Sequence, residues 1–185
     1  MLFVKTEIDD AFLIEDEPYK DERGIFSRSW CANEFQARGL QTRICQCNTS
    51  FNYKKGTIRG LHFQKAPYQE AKLVRCIRGK IFDVIVDIRP NSPTFLKWVG
   101  FELTETNHRS LFIPEGMAHG YQTLEDNTEV FYQVSEFYHP EASVEIRWND
   151  SDINITWPLE LQSISEKDAK APLASDFFTS LSGPK

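Results

Sequence analysis

The side chains with the greatest chemical capacity fall into two clusters in the middle of the chain. The first runs Gly56, five residues, His62-Phe63-Gln64, five residues, Glu70, eight residues, Gly79, and the second is Pro114-Glu115-Gly116-Met117-Ala118-His119. Two imidazoles and a carboxylate, His62, Glu70 and His119, would suit a metal centre if folding brought them together. The middle position of the first cluster is Gln64, however, and a carboxamide is a poor ligand for a borderline transition metal. We therefore expect no metal. On a strand through Arg59-Gly60-Leu61-His62-Phe63-Gln64, alternation sends Gly60, His62 and Gln64 one way and Arg59, Leu61 and Phe63 the other. Gly60 would let a ligand approach the backbone closely. Lys72, Arg75, His119 and Tyr132 lie on other strand candidates expected to face the same interior. So many titratable groups are costly to bury for structure alone, so the cluster points to a site. His108, between Asn107 and Arg109, and His139, before Pro140, read as surface residues.

These groups need elements to hold them. The chain has 185 residues, 41% hydrophobic, with 14 Phe, 6 Tyr and 4 Trp, enough for an aromatic-rich core and one domain. Its 21 Lys+Arg against 27 Asp+Glu give a net charge of −6, which excludes a nucleic-acid partner held by bulk charge. No apolar run approaches the roughly 20 residues of a membrane-spanning helix. Met1-Leu2-Phe3-Val4-Lys5-Thr6-Glu7 leads into acidic sequence and not into the apolar core of a signal peptide. A cytoplasmic protein without a membrane partner is expected. Cys31, Cys45, Cys47 and Cys76 form no CxxC pair and read as buried reduced thiols. On a strand, Cys45 and Cys47 share one face and Gln46 takes the other.

Lys80-Ile81-Phe82-Asp83-Val84-Ile85-Val86-Asp87-Ile88-Arg89, stopped by Pro90, is the clearest strand, with Asp83 and Asp87 opposite Phe82, Val84 and Val86. Further candidates lie near 24–30, 42–49, 57–63, 71–77, 97–104, 110–114, 118–124, 129–138 and 143–148. Many short strands with frequent turns predict a mainly β fold: a sandwich, jelly roll or barrel. Two short helices are predicted: one opened by a capping box at Asn33-Glu34-Phe35-Gln36 and stopped by Gly39, the other opened by Ser165-Glu166-Lys167-Asp168. Residues Ser180 to Lys185 are expected to be loose.

The two clusters resemble the paired motifs of cupin barrels. A more specific resemblance is carried by Arg23-Gly24-Ile25-Phe26, Gln46-Cys47-Asn48-Thr49-Ser50, Arg59-Gly60-Leu61-His62-Phe63-Gln64 and Lys72-Leu73-Val74-Arg75. It continues through Asp83-Val84, Asp87-Ile88-Arg89, Ser92-Pro93-Thr94, Ile113-Pro114 with Gly116 and Ala118-His119-Gly120, Tyr132, Tyr138 and Trp148-Asn149-Asp150. In order and spacing these are similar to the dTDP-4-dehydrorhamnose 3,5-epimerase family, over residues 20 to 170. The resemblance implies a cupin-like jelly roll in a single domain, 1–185, with its core over about 20–158 and a C-terminal helical segment over 159–185. It implies an isomerase without a cofactor that inverts C3, C5 or both in a nucleoside-diphospho-4-keto-6-deoxyhexose, for deoxysugar and surface-polysaccharide biosynthesis.

By the same resemblance His62 is the base, Asp168 orients it, Lys72 stabilises the enolate at O4 and Tyr132 returns the proton. Substrate-binding residues are Arg23, Phe26, Arg28, Gln46, Asn48, Arg59, His119 and Tyr138, with Arg75 a further candidate for the diphosphate. Arg23, Arg59, Lys72 and Arg75 are expected to gather in one cleft while carboxylates cover the outside. A homodimer is implied in which Phe26 and Arg28 complete the neighbour's nucleotide site. The family commonly has an acidic residue where this chain has Arg28. A cation cannot accept a hydrogen bond from thymine N3–H, whereas cytosine offers N3 and O2 as acceptors, so CDP, or more weakly GDP, competes with dTDP. Met117 stands where the family often has Phe. A metal-dependent cupin, a sugar 3,4-ketoisomerase and a non-catalytic nucleotide-sugar-binding module remain as alternatives.

Overall fold

The computed structural model describes residues 1–181. In chain order the elements are β1 (Leu2–Lys5), β2 (Phe12–Glu15), β3 (Tyr19–Asp21), β4 (Gly24–Phe26), α1 (Ala32–Gln36), β5 (Gln46–Asn52), β6 (Ile58–Gln64), β7 (Lys72–Arg78), β8 (Lys80–Asp87), β9 (Trp98–Thr104), β10 (Arg109–Ile113), β11 (Met117–Thr123), β12 (Thr128–Val134), β13 (Ser143–Glu145), α2 (Glu166–Ala169) and α3 (Ala174–Leu181). A six-stranded sheet, β1-β2-β10-β7-β12-β5, faces a five-stranded sheet, β13-β6-β11-β8-β9, and β3-β4 form a separate hairpin. The fold is mainly β, as the short, turn-bounded strands predict.

Alternation along the strands builds the layers. Val74, Cys76, Leu111, Ile113 and Val130 of the six-stranded sheet meet Ile81, Ile85, Leu103 and Tyr121 of the other in one apolar core. The inner strand β8 is buried on both faces: Ile81 and Ile85 face the first core, while Phe82, Val84 and Val86 pack outward against Ile153, Trp157, Phe177 and Phe178 of the C-terminal segment. A third cluster seats Phe35 of α1 on Ile14, Leu73 and Phe112, closing part of the outer face of the six-stranded sheet.

Several expectations shift. Strand pairing begins well before residue 20, because β1 pairs with β2 and β2 with β10. The Phe12-Leu13-Ile14-Glu15 run carries no clear alternation, and Leu13 and Ile14 are both buried. The first helix starts earlier than the Asn33 box implies: its N-cap is Cys31, with no side-chain cap. Gly39 does sit past its end, at φ 71°, and Leu40 N–H closes onto Phe35 carbonyl oxygen at 3.1 Å. The box at Ser165 forms as expected, with the hydroxyl accepting from Asp168 N–H at 3.0 Å. Between 159 and 181 only α2 and α3 are helical. Ser180 and Leu181 belong to α3, and the rest of the tail expected to be loose, 182–185, lies outside the described residues. The four cysteines are free, but only Cys76 is buried and Cys47 is exposed. Burial pushes the Cys76 thiol up to about 12. No described helix is long and apolar enough to cross a membrane.

Candidate active site

Between the sheets opens a cavity of about 640 Å³ whose wall includes Gln46, Asn48, Arg59, His62, Lys72, Tyr132, Tyr138 and Asp168. Four come from the six-stranded sheet by simple alternation. Asn48 lies opposite Tyr132 and Gln46 opposite Val134 on β5–β12, while Lys72 pairs with Val134 and Val74 with Tyr132 on β7–β12. Even-numbered residues of these strands therefore point inward. Arg75, three positions from Lys72, falls on the outer face, where it binds Asp16 at 3.1 Å and His108 Nδ1 at 3.2 Å. The expectation that Lys72 and Arg75 share the interior fails on this parity, and His108 is a partner of a half-buried arginine.

On the five-stranded sheet alternation breaks where the chemistry sits. His119 of β11 pairs with His62, but Tyr121, two residues on, pairs with Arg59, three residues back. That extra residue in β6 is a bulge, which re-aims side chains and brings Arg59 and His62 to the same cavity instead of opposite faces. Gly60 sits in the bulge at φ 130°, and a Cβ there would lie 2.5 Å from Gly120 Cα. Its glycine admits the neighbouring strand and not, as expected, a ligand.

The His62 ring reaches Asp168 through Nε2···Oδ1 at 2.7 Å. Asp168 is presented by α2, whose cap uses only its backbone, and its Oδ2 also accepts from Gly60 N–H at 3.4 Å. Burial works to raise the Asp168 carboxyl, but the hydrogen bond and charge of His62, with help from Gly60 and Ser165, hold it below the ordinary carboxylate value. This arrangement makes Nε2 the donor to the carboxylate and leaves Nδ1 with its lone pair free, the form a proton acceptor needs.

Across the cavity, Lys72 Nζ lies 3.0 Å from Glu70 Oε1. Tyr132 is half-buried; desolvation, reinforced by the charge of Glu70, raises its phenol above the ordinary value, so it stays protonated at neutral pH. Arg59 Nε donates to buried Asn52 at 2.8 Å. Tyr138, at the exposed mouth, is tied by its N–H to Gln46 Oε1 at 3.0 Å. Glu145 and Lys167, an ion pair, also line the wall. Neither carries a sequence signal beyond the strand candidate over 143–148 and the capping box, so sequence reasoning missed both.

Other expected residues lie elsewhere. Arg23 is exposed and bound to Asp21 of its own hairpin at 2.5 Å, Phe26 is 76% exposed, and Arg28 pairs with Glu34 at 3.1 Å. None lines this cavity, because β3-β4 stand off both sheets. His119 is engaged by Asp83, Nε2···Oδ1 2.7 Å, behind the wall. The cationic cleft expected from Arg23, Arg59, Lys72 and Arg75 is thus reduced to Arg59 and Lys72. Carboxylates stand among them: Glu70, Glu145 and Asp168 share the wall. The cupin-like donor set is not brought together, since His62 and Glu70 line the cavity while His119 lies behind its wall against Asp83. Among the described residues no three His, Cys, Asp or Glu side chains are grouped to hold one.

A family model described as dTDP-4-dehydrorhamnose 3,5-epimerase matches residues 5–176. The chain is 50% identical over 169 residues to the enzyme of that name from Methanothermobacter thermautotrophicus, covering 90% of each chain. It is 46% identical over 181 residues to the one from Shigella flexneri, covering 96% of this chain and 99% of the relative. Its structure superposes with a TM-score of 0.88 and 40% identity on dTDP-6-deoxy-D-glucose-3,5-epimerase of Legionella pneumophila, crystallised with dTDP-4-keto-L-rhamnose, covering 94% of this chain and 93% of that one.

Proposed function

The chain belongs to the dTDP-4-dehydrorhamnose 3,5-epimerase family, and from that premise we propose how its cavity inverts C3 and C5 of a dTDP-linked 4-keto-6-deoxyhexose. One observation carries the reading: the His62–Asp168 dyad stands on the five-stranded side of the cavity while Tyr132 and Lys72 stand on the six-stranded side. A sugar ring held between the sheets meets a base on one face and an acid on the other. His62 Nδ1 takes the proton from the carbon beside the ketone, and the C–H electron pair moves into an enolate at O4. The Lys72 ammonium stabilises that oxyanion. The Tyr132 phenol then gives its proton to the same carbon from the opposite face, and the two side chains return to their starting forms by exchange with solvent. The 4-keto group acidifies both neighbouring carbons, so one set of groups serves C3 and C5 as the ring turns. No cofactor enters this scheme.

Gln46, Asn48, Arg59 and Tyr138 would hold the sugar and diphosphate. The hairpin presents Tyr19, Ile25 and Phe26 largely exposed, an expensive surface to leave in water. In a homodimer it would reach the partner's cavity, placing Arg23, Phe26 and Arg28 on the neighbour's nucleotide. The four free thiols suit a reducing cytoplasm, and the product would feed deoxysugar and surface-polysaccharide synthesis.

Incubating the dTDP-linked 4-keto-6-deoxyglucose with the enzyme in D₂O tests the reaction. Deuterium at C3 and C5 by NMR is expected; label at one carbon alone identifies a single-centre epimerase, and no label refutes the reading. A second reading, CDP in place of dTDP, is favoured by one residue, Arg28. Running the CDP-linked substrate in parallel decides between them, and strong preference for dTDP removes it.

A further inference from the structure

Gln64 stands two residues beyond His62 and is buried at 5% exposure. The two hydrogens of its Nε2 are shared among three acceptors, Tyr68 carbonyl oxygen at 3.0 Å, Phe137 carbonyl oxygen at 3.0 Å and Glu70 Oε2 at 3.2 Å. Its Oε1 accepts from His139 N–H at 2.6 Å. One carboxamide therefore fastens two neighbouring chain segments to each other at the cavity wall. The first, 65–71, ends on Glu70, whose other oxygen holds Lys72 Nζ. The second, 135–142, contains Tyr138, flanked on both sides by residues bonded to Gln64.

We propose that Gln64 is a positioning residue that sets the sugar-facing side of the site, aiming Lys72 through Glu70 and Tyr138 through its two chain neighbours. The inference rests on the epimerase reading above and gives Gln64, itself part of the cavity wall, a role exerted through Glu70, Lys72 and Tyr138. Four polar partners around one buried group define its geometry tightly, and an amide is the group that can serve here. A carboxylate would turn acceptors toward two carbonyls and Glu70, and an apolar side chain would leave those acceptors unmatched in a low-dielectric interior. The ring stack of Tyr68 on His139, centroids 3.6 Å apart, joins the same two segments at the rim. Gln64 makes no bond to His62, Asp168 or Arg59, so its loss should disturb the oxyanion side and spare the base.

The test compares wild-type enzyme with Gln64→Met, reading deuterium wash-in from D₂O, kcat and KM, and the Kd of dTDP alone. Wild-type exchange checks the underlying reaction separately. The variant is expected to lose tenfold or more in kcat and exchange rate, with dTDP affinity within twofold. Rates within twofold of wild type overturn the proposal, as does a matching fall in dTDP affinity, which would mark a general loosening. If Gln64→Met does not fold, Gln64→Glu, which keeps the volume and the bond from His139, carries the same comparison. Adding Glu70→Gln to Gln64→Glu restores a donor–acceptor pair between the two positions and should recover part of the rate. No recovery in the double variant counts against the aiming of Lys72 through Glu70.

Discussion

Two histidine–aspartate pairs stand side by side in this protein, on residues that face each other across β6 and β11. Each joins Nε2 to Oδ1 at 2.7 Å, yet they occupy different environments. The His62 ring is 41% exposed at the cavity wall. The His119 ring is 11% exposed and its Asp83 is fully buried, with Oδ2 lacking a hydrogen-bond partner among the described residues. Asp168, by contrast, spreads its charge over His62 and Gly60 N–H. Bond length alone does not identify a working base; access to the reacting carbon and support of the carboxylate do.

Variants can break or sharpen this contrast. The largest effect is expected from His62→Asn, which should lower exchange by about 10²–10⁴ with little change in melting temperature; exchange at the wild-type rate would move the base elsewhere. Asp168→Asn keeps the shape and removes the charge that stabilises the imidazolium, so kcat should fall, by less than the factor of about 10²–10⁴ expected for loss of the base itself. Here the discriminating measurement is kcat at unchanged KM. His119→Asn and Asp83→Asn should reverse the balance, destabilising by about 1–3 kcal/mol through a buried polar group left poorly matched. Their loss of activity should stay below that of Asp168→Asn, and denaturant midpoints alongside kcat show which pair is structural. The smallest effect concerns acid. The Asp168 carboxyl titrates below its ordinary value of 3.8 in the folded protein, so the stability it adds is present above that ordinary value and fades as pH falls through the lowered one. The wild-type minus Asp168→Asn difference in unfolding free energy should close over that interval, and a constant difference would deny the linkage.

The contrast also shows what the sequence could carry. The strand at 80–87, the capping box at Ser165 and the gathering of His62, Lys72 and Tyr132 follow from local pattern, whereas Asp168 is brought to His62 only by the family resemblance. The bulge in β6 does not: a period-2 reading puts Arg59 behind the sheet, and only the shifted register with β11 returns it. The error at Arg75 is of another kind, since its three-residue offset from Lys72 already assigned it to the opposite face. Arg23, Phe26 and Arg28 matched a motif, but where a standing hairpin points depends on what it packs against, and that lies outside one chain's local chemistry. Glu145 and Lys167 sit on elements the sequence did indicate, β13 and α2, but which of their side chains face the cavity depends on how those elements pack, and local pattern does not give that.

The partner of His62 arrives from 106 residues further along the chain, on a helix of four residues. Both sheets are complete by Glu145, so the frame of the cavity can be assembled while its base still lacks an orienting carboxylate. Short, peripheral segments open at lower free energy than central strands, and α2 is of that kind. Mild denaturant should therefore silence turnover while the β circular-dichroism signal is intact. Catalysis would then report the attachment of α2, and a damaged molecule would betray itself by inactivity before its sheets come apart.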